Sequence, residues 1–220
     1  MPHPFAQYLD FANHHANATP ADIEKLTRAV LEHGFHAAFV NACYISFARP
    51  RLLKLKLGTV ISFPLGQDTI AAKVAAVNEA VSLGADELDV VPNIGTFLAG
   101  DTNGFVNEMK TIVDGARMIG RPVVVKFILD PGYMASDEQM KQAALAIQQS
   151  GADFVKIGSG MGPREPSVED VKIVREAVPT MKIKVAGGID TYDEAKAFID
   201  AGVARIGTSH AIEIVTQAQI

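Results

Sequence analysis

Short apolar runs alternate with longer amphipathic stretches along the whole chain, and this alternation limits the fold more than any other feature of the sequence. The apolar runs fall at 36–40, 57–63, 87–91, 122–129, 153–158, 181–186 and 205–208. Stretches with helical periodicity fall at 21–33, 69–83, 105–119, 137–150, 168–177 and 192–201. Several of them stop at a glycine: Gly34, Gly84, Gly120, Gly151 and Gly202. Glycine takes the left-handed turn past a helix end without a Cβ penalty, so it marks such stops. Three stops recur in related form, as Gly84-Ala85-Asp86, Gly151-Ala152-Asp153 and Gly202-Val203-Ala204. Each closes a helix and opens a strand, and repeated βα units of this kind require a parallel sheet. Seven strands are clear, and an eighth, short one fits at 8–12. The expectation is an α/β chain folded as a (β/α)8 TIM barrel, one domain spanning 1–220. The competing arrangement is an open doubly wound sheet, which is weakened because no Gly-x-Gly-x-x-Gly follows the first strand.

Composition narrows the partners. The 220 residues are 48 % apolar and 20 % charged, with a formal net charge of −5 and no Lys/Arg-rich run. Bulk charge therefore supports neither nucleic acid nor an anionic membrane as partner. The single cysteine, Cys43, permits no intramolecular disulfide and has no basic neighbour in sequence to activate it, so it reads as structural. No basic segment runs into an apolar one at the start, and no run of 18 apolar residues occurs. The expectation is a cytoplasmic protein.

Strands of a parallel barrel are covered on both sides and should read Val/Ile/Leu. Four of them carry charges instead: Asp89, Lys126, Lys156 and Lys184. A charge in such a place is costly unless it is paired or used. A structural salt-bridge cluster is one reading. Three lysines against one or two carboxylates make a poor neutral cluster, however, and crowded ammonium groups weaken one another's hold on the proton. A lysine so placed becomes a nucleophilic amine, which points to carbonyl chemistry.

Glycine-rich turns follow the last strands. Gly158-Ser159-Gly160-Met161-Gly162 comes after the Lys156 strand, Gly187-Gly188 after the Lys184 strand, and Gly207-Thr208-Ser209-His210 ends the last one. Backbone N–H groups at such turns approach an anion closely, and the loops after the last barrel strands often hold phosphate.

With these segments in place, the chain resembles the deoxyribose-phosphate aldolase family. Ile61-Ser62-Phe63-Pro64-Leu65-Gly66 is similar to that family's I-G-F-P-L-G, and the stretch from Gly84 to Gly95 to G-A-D-E-I-D-M-V-I-N-I-G. The segments Val125-Lys126-Phe127-Ile128-Leu129-Asp130, Gly151-Ala152-Asp153-Phe154-Val155-Lys156, Lys184-Val185-Ala186-Gly187-Gly188-Ile189 and Arg205-Ile206-Gly207-Thr208-Ser209 resemble further family segments, in order and with similar spacing. The resemblance implies a (β/α)8 barrel and reversible cleavage of 2-deoxyribose 5-phosphate to acetaldehyde and glyceraldehyde 3-phosphate. It implies Lys156 as Schiff-base former and Lys184 as the neighbour that lowers its pKa. Asp89 would relay protons through a water, and Lys126 would position that network. It places substrate against Asp10, Ser159, Gly160, Gly187, Gly188, Ser209 and His210. It calls for no metal and no organic cofactor, because the iminium is itself the electron sink, and it implies a homodimer.

The chain also departs from the family. Ala12 stands where the family has a threonine, Ile157 and Gly158 replace hydroxyl residues, and His210 replaces a serine. Phe39 removes a pocket-side thiol and narrows the space. His14 and His15 read as exposed loop histidines, and Arg164 as solvent-facing. The lysines and the aspartate are kept while substrate contacts change. Two alternatives therefore stay open: a Schiff-base aldolase for a different aldehyde, and a barrel that binds a phosphorylated metabolite without a covalent bond.

Overall fold

Eight parallel strands pair in chain order and the last closes on the first. The computed structural model describes residues 3–218. The strands are β1 (Leu9–Asn13), β2 (Ala37–Val40), β3 (Lys56–Ile61), β4 (Glu87–Val90), β5 (Val124–Leu129), β6 (Phe154–Ile157), β7 (Lys182–Ala186) and β8 (Arg205–Thr208). Closure runs through Asp10↔Gly207 and Phe11↔Thr208. The result is the (β/α)8 barrel expected from the alternation, with each strand within a few residues of its apolar run.

The two-residue period of each strand separates two environments. One set of positions, including Leu88 and Val90, Val125 and Phe127, Val155 and Ile157, and Ile183 and Val185, joins the apolar layer beneath the helices. The alternate positions turn to the barrel axis and carry Asp89, Lys126, Lys156 and Lys184, all buried. Apolar burial at roughly 25 cal/mol per Å² holds the outer layer together. The inner layer must be held by charge pairing.

The helices start where their caps dictate. In α1 (Pro20–His33), Thr19 and Asp22 form a reciprocal capping box, and Gly34 ends the helix at φ 68° with its N–H on the Val30 carbonyl. In the helices Val168–Ala177 and Tyr192–Asp200, Ser167–Asp170 and Thr191–Glu194 do the same. Two connections differ from the sequence expectation. The helix expected from 105 starts three residues earlier, because the Asp101 side chain accepts the Gly104 N–H at 2.8 Å. Between β2 and β3 no helix is expected, yet a short one (Ile45–Ala48) forms between two 3-10 turns. Cys43 sits in the first of these turns and is exposed, so it is not a core cysteine. No helix among the described residues is long and apolar enough to cross a membrane.

Candidate active site

The axial positions of β1, β4, β5, β6 and β7 converge on one buried cluster of six charged groups. Asp89 lies at its centre. Its Oδ1 accepts a hydrogen bond from Lys126 Nζ at 3.0 Å. Its Oδ2 lies 2.9 Å from Lys156 Nζ and 2.9 Å from Lys184 Nζ. Lys126 also donates to Glu87 Oε2 at 2.6 Å, and Lys184 donates to Asp10 Oδ2 at 2.6 Å. Three ammonium groups thus face three carboxylates. This corrects the expectation of a charge surplus: Glu87 and Asp89, two apart on one strand, share the inward face, and Asp10 completes the balance.

Balance in sum conceals an inequality between the lysines. Lys126 contacts Glu87 and Asp89, and Lys184 contacts Asp10 and Asp89, whereas Lys156 contacts Asp89 alone. For Lys126, burial works to lower the pKa, but Asp89, Glu87 and Asp10 outweigh it and hold the ammonium protonated above its usual range. For Lys156, burial also lowers the pKa; its one shared carboxylate does not outweigh this, and Lys184 pushes the same way. For Asp89, burial favours the acid, yet Lys126, Lys156 and Lys184 together hold it ionised well below the usual carboxylate range. Glu87 is likewise held low by Lys126 and by His36, whose Nε2 lies 3.0 Å away, against the cost of burial.

Phe39 caps this cluster from the side of β2. Its ring centroid is 3.6 Å from Lys184 Nζ and 4.9 Å from Lys126 Nζ, a cation–π arrangement in a dry setting. The ring lies over Gly58, where any Cβ would collide with it. The same side chain lines the cavity above the cluster.

Above the cluster, at the ends of the strands, opens a cavity of about 460 Å³. Lys156, Lys184 and Asp89 form its floor, and Ser159, Gly160, Gly187, Gly188 and Ser209 line its far wall. Three residues expected at the site lie elsewhere. Asp10 has no exposed surface and sits beneath Lys184, so it supports that lysine and does not line the cavity. Lys126, also fully enclosed, is a positioning residue under Asp89. His210, at the N-cap of the last helix (Ala211–Gln217), is turned to Asp190, 2.9 Å from its carboxylate.

One further expectation changes. His14 is no exposed loop histidine: it lines the cavity and its ring stands 5.7 Å from that of Phe63. Burial, and then the positive charge of Lys156, lower its pKa to about 3, which keeps it neutral. His15 also lines the cavity and is exposed, as expected. Arg164 is exposed, as expected, and grips Asp170 with both terminal nitrogens at 2.7 Å. Beneath the floor, Asp10, His36 and Glu87 each offer one ligand atom within 4.8 Å of the others. The ammonium groups of Lys184 and Lys126 already pair with the two carboxylates, so this group does not suit a metal ion.

A closed barrel with a buried lysine of lowered pKa on the floor of its mouth is the architecture of a Schiff-base aldolase. The model of the DeoC/LacD family aldolases matches residues 5–209. Among curated proteins, the deoxyribose-phosphate aldolase of Thermoanaerobacter sp. (strain X514) is 40 % identical over 215 residues, covering 96 % of each chain. That of Methanocella arvoryzae is 39 % identical over 218 residues, covering 97 % of this chain and 95 % of its own. Among solved structures, QR15, an aldolase, superposes with a TM-score of 0.93 at 32 % identity, covering 98 % of this chain and 96 % of its own. The chain belongs to the DeoC/LacD aldolase family, and it is a lyase.

Proposed function

We propose that this protein catalyses the reversible cleavage of 2-deoxy-D-ribose 5-phosphate to acetaldehyde and D-glyceraldehyde 3-phosphate, through a Schiff base on Lys156. The observation that carries the assignment is the inequality among the lysines: Lys156 faces the cavity, touches a single carboxylate and has its pKa lowered. The names of the relatives support the substrate.

The sequence of steps uses groups already described. The neutral Lys156 amine adds to C1 of the open-chain aldehyde, and loss of water gives the iminium. The C3 hydroxyl gives up its proton, the C2–C3 bond breaks, and its electron pair flows into the iminium to form an enamine. Glyceraldehyde 3-phosphate leaves. The enamine carbon then takes a proton, and water releases acetaldehyde and the free amine. Asp89 acts in the proton transfers through a water, with Lys184 sharing its Oδ2 as the acid that resupplies the proton. Lys126, held protonated, fixes Asp89 from below. Ser159, Gly160, Gly187, Gly188 and Ser209 receive the far end of the substrate. The reaction runs without a metal or organic cofactor, in the cytoplasm, and the working assembly is a homodimer.

Incubation with 2-deoxyribose 5-phosphate and borohydride, followed by peptide mapping, tests the reading. A reduced adduct on Lys156 is expected, and its absence with both the sugar phosphate and acetaldehyde overturns it. The altered Ala12, Phe39 and His14 around the floor bear on a second reading, an aldolase of the same mechanism for a different aldehyde. An adduct with acetaldehyde but none with the sugar phosphate selects it.

A further inference from the structure

The far wall of the cavity, assigned from sequence to a phosphate, has a different chemical character in the folded chain. Among the described residues, Lys156 and Lys184 are the only lysines or arginines that line the cavity, and both are on the floor with carboxylate partners. The arginine nearest the wall in sequence, Arg164, is committed to Asp170. What the wall does carry is acidic. Asp190, two residues beyond Gly188, lines the cavity. Glu165, on the loop after β6, lays its carboxylate against Gly188, in the space a side chain there would need. The imidazole of His210 is directed to Asp190.

Such a wall combines neutral donors with anionic acceptors. The donors are the backbone of the glycine turns, with left-handed φ of 77° at Gly160 and 63° at Gly188, and the Ser209 hydroxyl. The acceptor that lines the cavity is the Asp190 carboxylate, and the Glu165 carboxylate adds a second negative charge against Gly188. A phosphate monoester carries a charge of about −1.5 to −2 near neutral pH, accepts hydrogen bonds and is repelled by both acids. A hydroxyl donates one hydrogen bond and accepts others, so it can satisfy both halves of the wall.

We propose that the far wall of this pocket is built for a hydroxyl end, so that unphosphorylated 2-deoxy aldoses are substrates within about a hundredfold of their 5-phosphates. The inference rests on the Schiff-base reading of Lys156 and adds its substrate class. A charge-assisted bond from an arginine or lysine favours a phosphate by roughly tenfold to a hundredfold. Without one, the ester has only the backbone donors to distinguish it, and the acids work against it.

The test compares kcat/KM for 2-deoxy-D-ribose 5-phosphate and 2-deoxy-D-ribose in the wild-type protein and in the Glu165→Gln/Asp190→Asn variant. The ester is expected to lead by less than about a hundredfold in the wild type. The variant is expected to move the ratio toward the ester by at least about fivefold, since amides keep the shape and lose the charge. A wild-type preference for the ester above a hundredfold, or a ratio the double variant leaves unchanged, overturns the proposal. Borohydride trapping with acetaldehyde separates this from failure of the mechanism. An adduct on Lys156 with a strong ester preference sinks the hydroxyl wall alone, whereas no adduct sinks the Schiff base and the wall's substrate class with it.

Discussion

Replacing Lys126 by methionine removes a cation that has no exposed surface and two carboxylate partners, at 2.6 Å and 3.0 Å. Methionine fills much of the volume, so the loss is mainly electrostatic. Breaking a buried pair from one side costs about 3–5 kcal/mol, because the partner charge stays enclosed without compensation. Glu87 retains His36 as a hydrogen-bond partner at 3.0 Å, so the lower part of that range applies. Unfolding entropy near 2.1 cal/mol/K per residue, taken over 220 residues, converts each kcal/mol into roughly 2 °C of Tm. Thermal denaturation followed by circular dichroism should therefore place Lys126→Met about 6–8 °C below the parent. The Lys126→Met/Glu87→Gln variant removes one orphaned acid and leaves Asp89 with Lys156 and Lys184, and it should recover a third or more of the loss. The single variant should also draw Lys156 toward its ammonium form, since Asp89 then has one cation fewer to share. The pH above which borohydride trapping of acetaldehyde becomes efficient should rise accordingly. A Tm within 2 °C of the parent, or a double variant less stable than the single one, would refute the charge-balance argument.

Three further outcomes follow from the same cluster. Lys184→Leu removes the cation that helps depress the Lys156 pKa, so most turnover at neutral pH is lost and trapping recovers only in more alkaline solution; an unmoved pH profile in folded protein contradicts that role. Asp89→Asn should slow turnover by about two to four orders of magnitude, as expected for lost acid–base help, and steady-state kinetics showing less than a tenfold effect would remove Asp89 from the proton path. His14 is held neutral down to about pH 3 while its unfolded value is 6.5, so the unfolded chain alone binds the proton between those limits and stability drains away as pH falls through that window. His14→Leu should flatten that slope by about 2 kcal/mol at pH 5, read from urea midpoints at pH 7 and pH 5.

The barrel was legible because its grammar is local. Gly84, Gly151 and Gly202 announce helix stops, and the apolar runs beyond them are buried on both faces, so strand positions follow from composition alone. The lysines and Asp89 stood out because charge in such a run has few inexpensive explanations. Glu87 was legible too, since Glu87-Leu88-Asp89 places both acids on one side of a strand, but it stands at the strand's first residue, where an acid passes for a loop residue. His36 precedes its strand by one residue and gives no pattern at all. The inward turn of His14 depends on where the chain after β1 crosses the mouth, and the pairings of Arg164 with Asp170 and of His210 with Asp190 depend on the loop conformation. Local propensity does not encode these. Lys126 stands out as a charged strand position and Asp10 only through the family resemblance, yet the depth of both below the cavity follows from strand register, which only the closed sheet defines.

The bond between Lys184 and Asp10 joins residues 174 apart in the chain and lies where β7 and β1 flank the closing strand. A partly assembled barrel that has β4 through β7 but lacks β1 encloses three lysines with only Glu87 and Asp89 to face them. Ring closure is thus the event that neutralises the interior, and it is also the contact of greatest loop length, the slowest kind to form. Truncated or split chains missing the first strand should fail to hold a native core even with most helices intact. The same charges that drive the chemistry therefore also disfavour intermediates in which the first strand is missing from the ring.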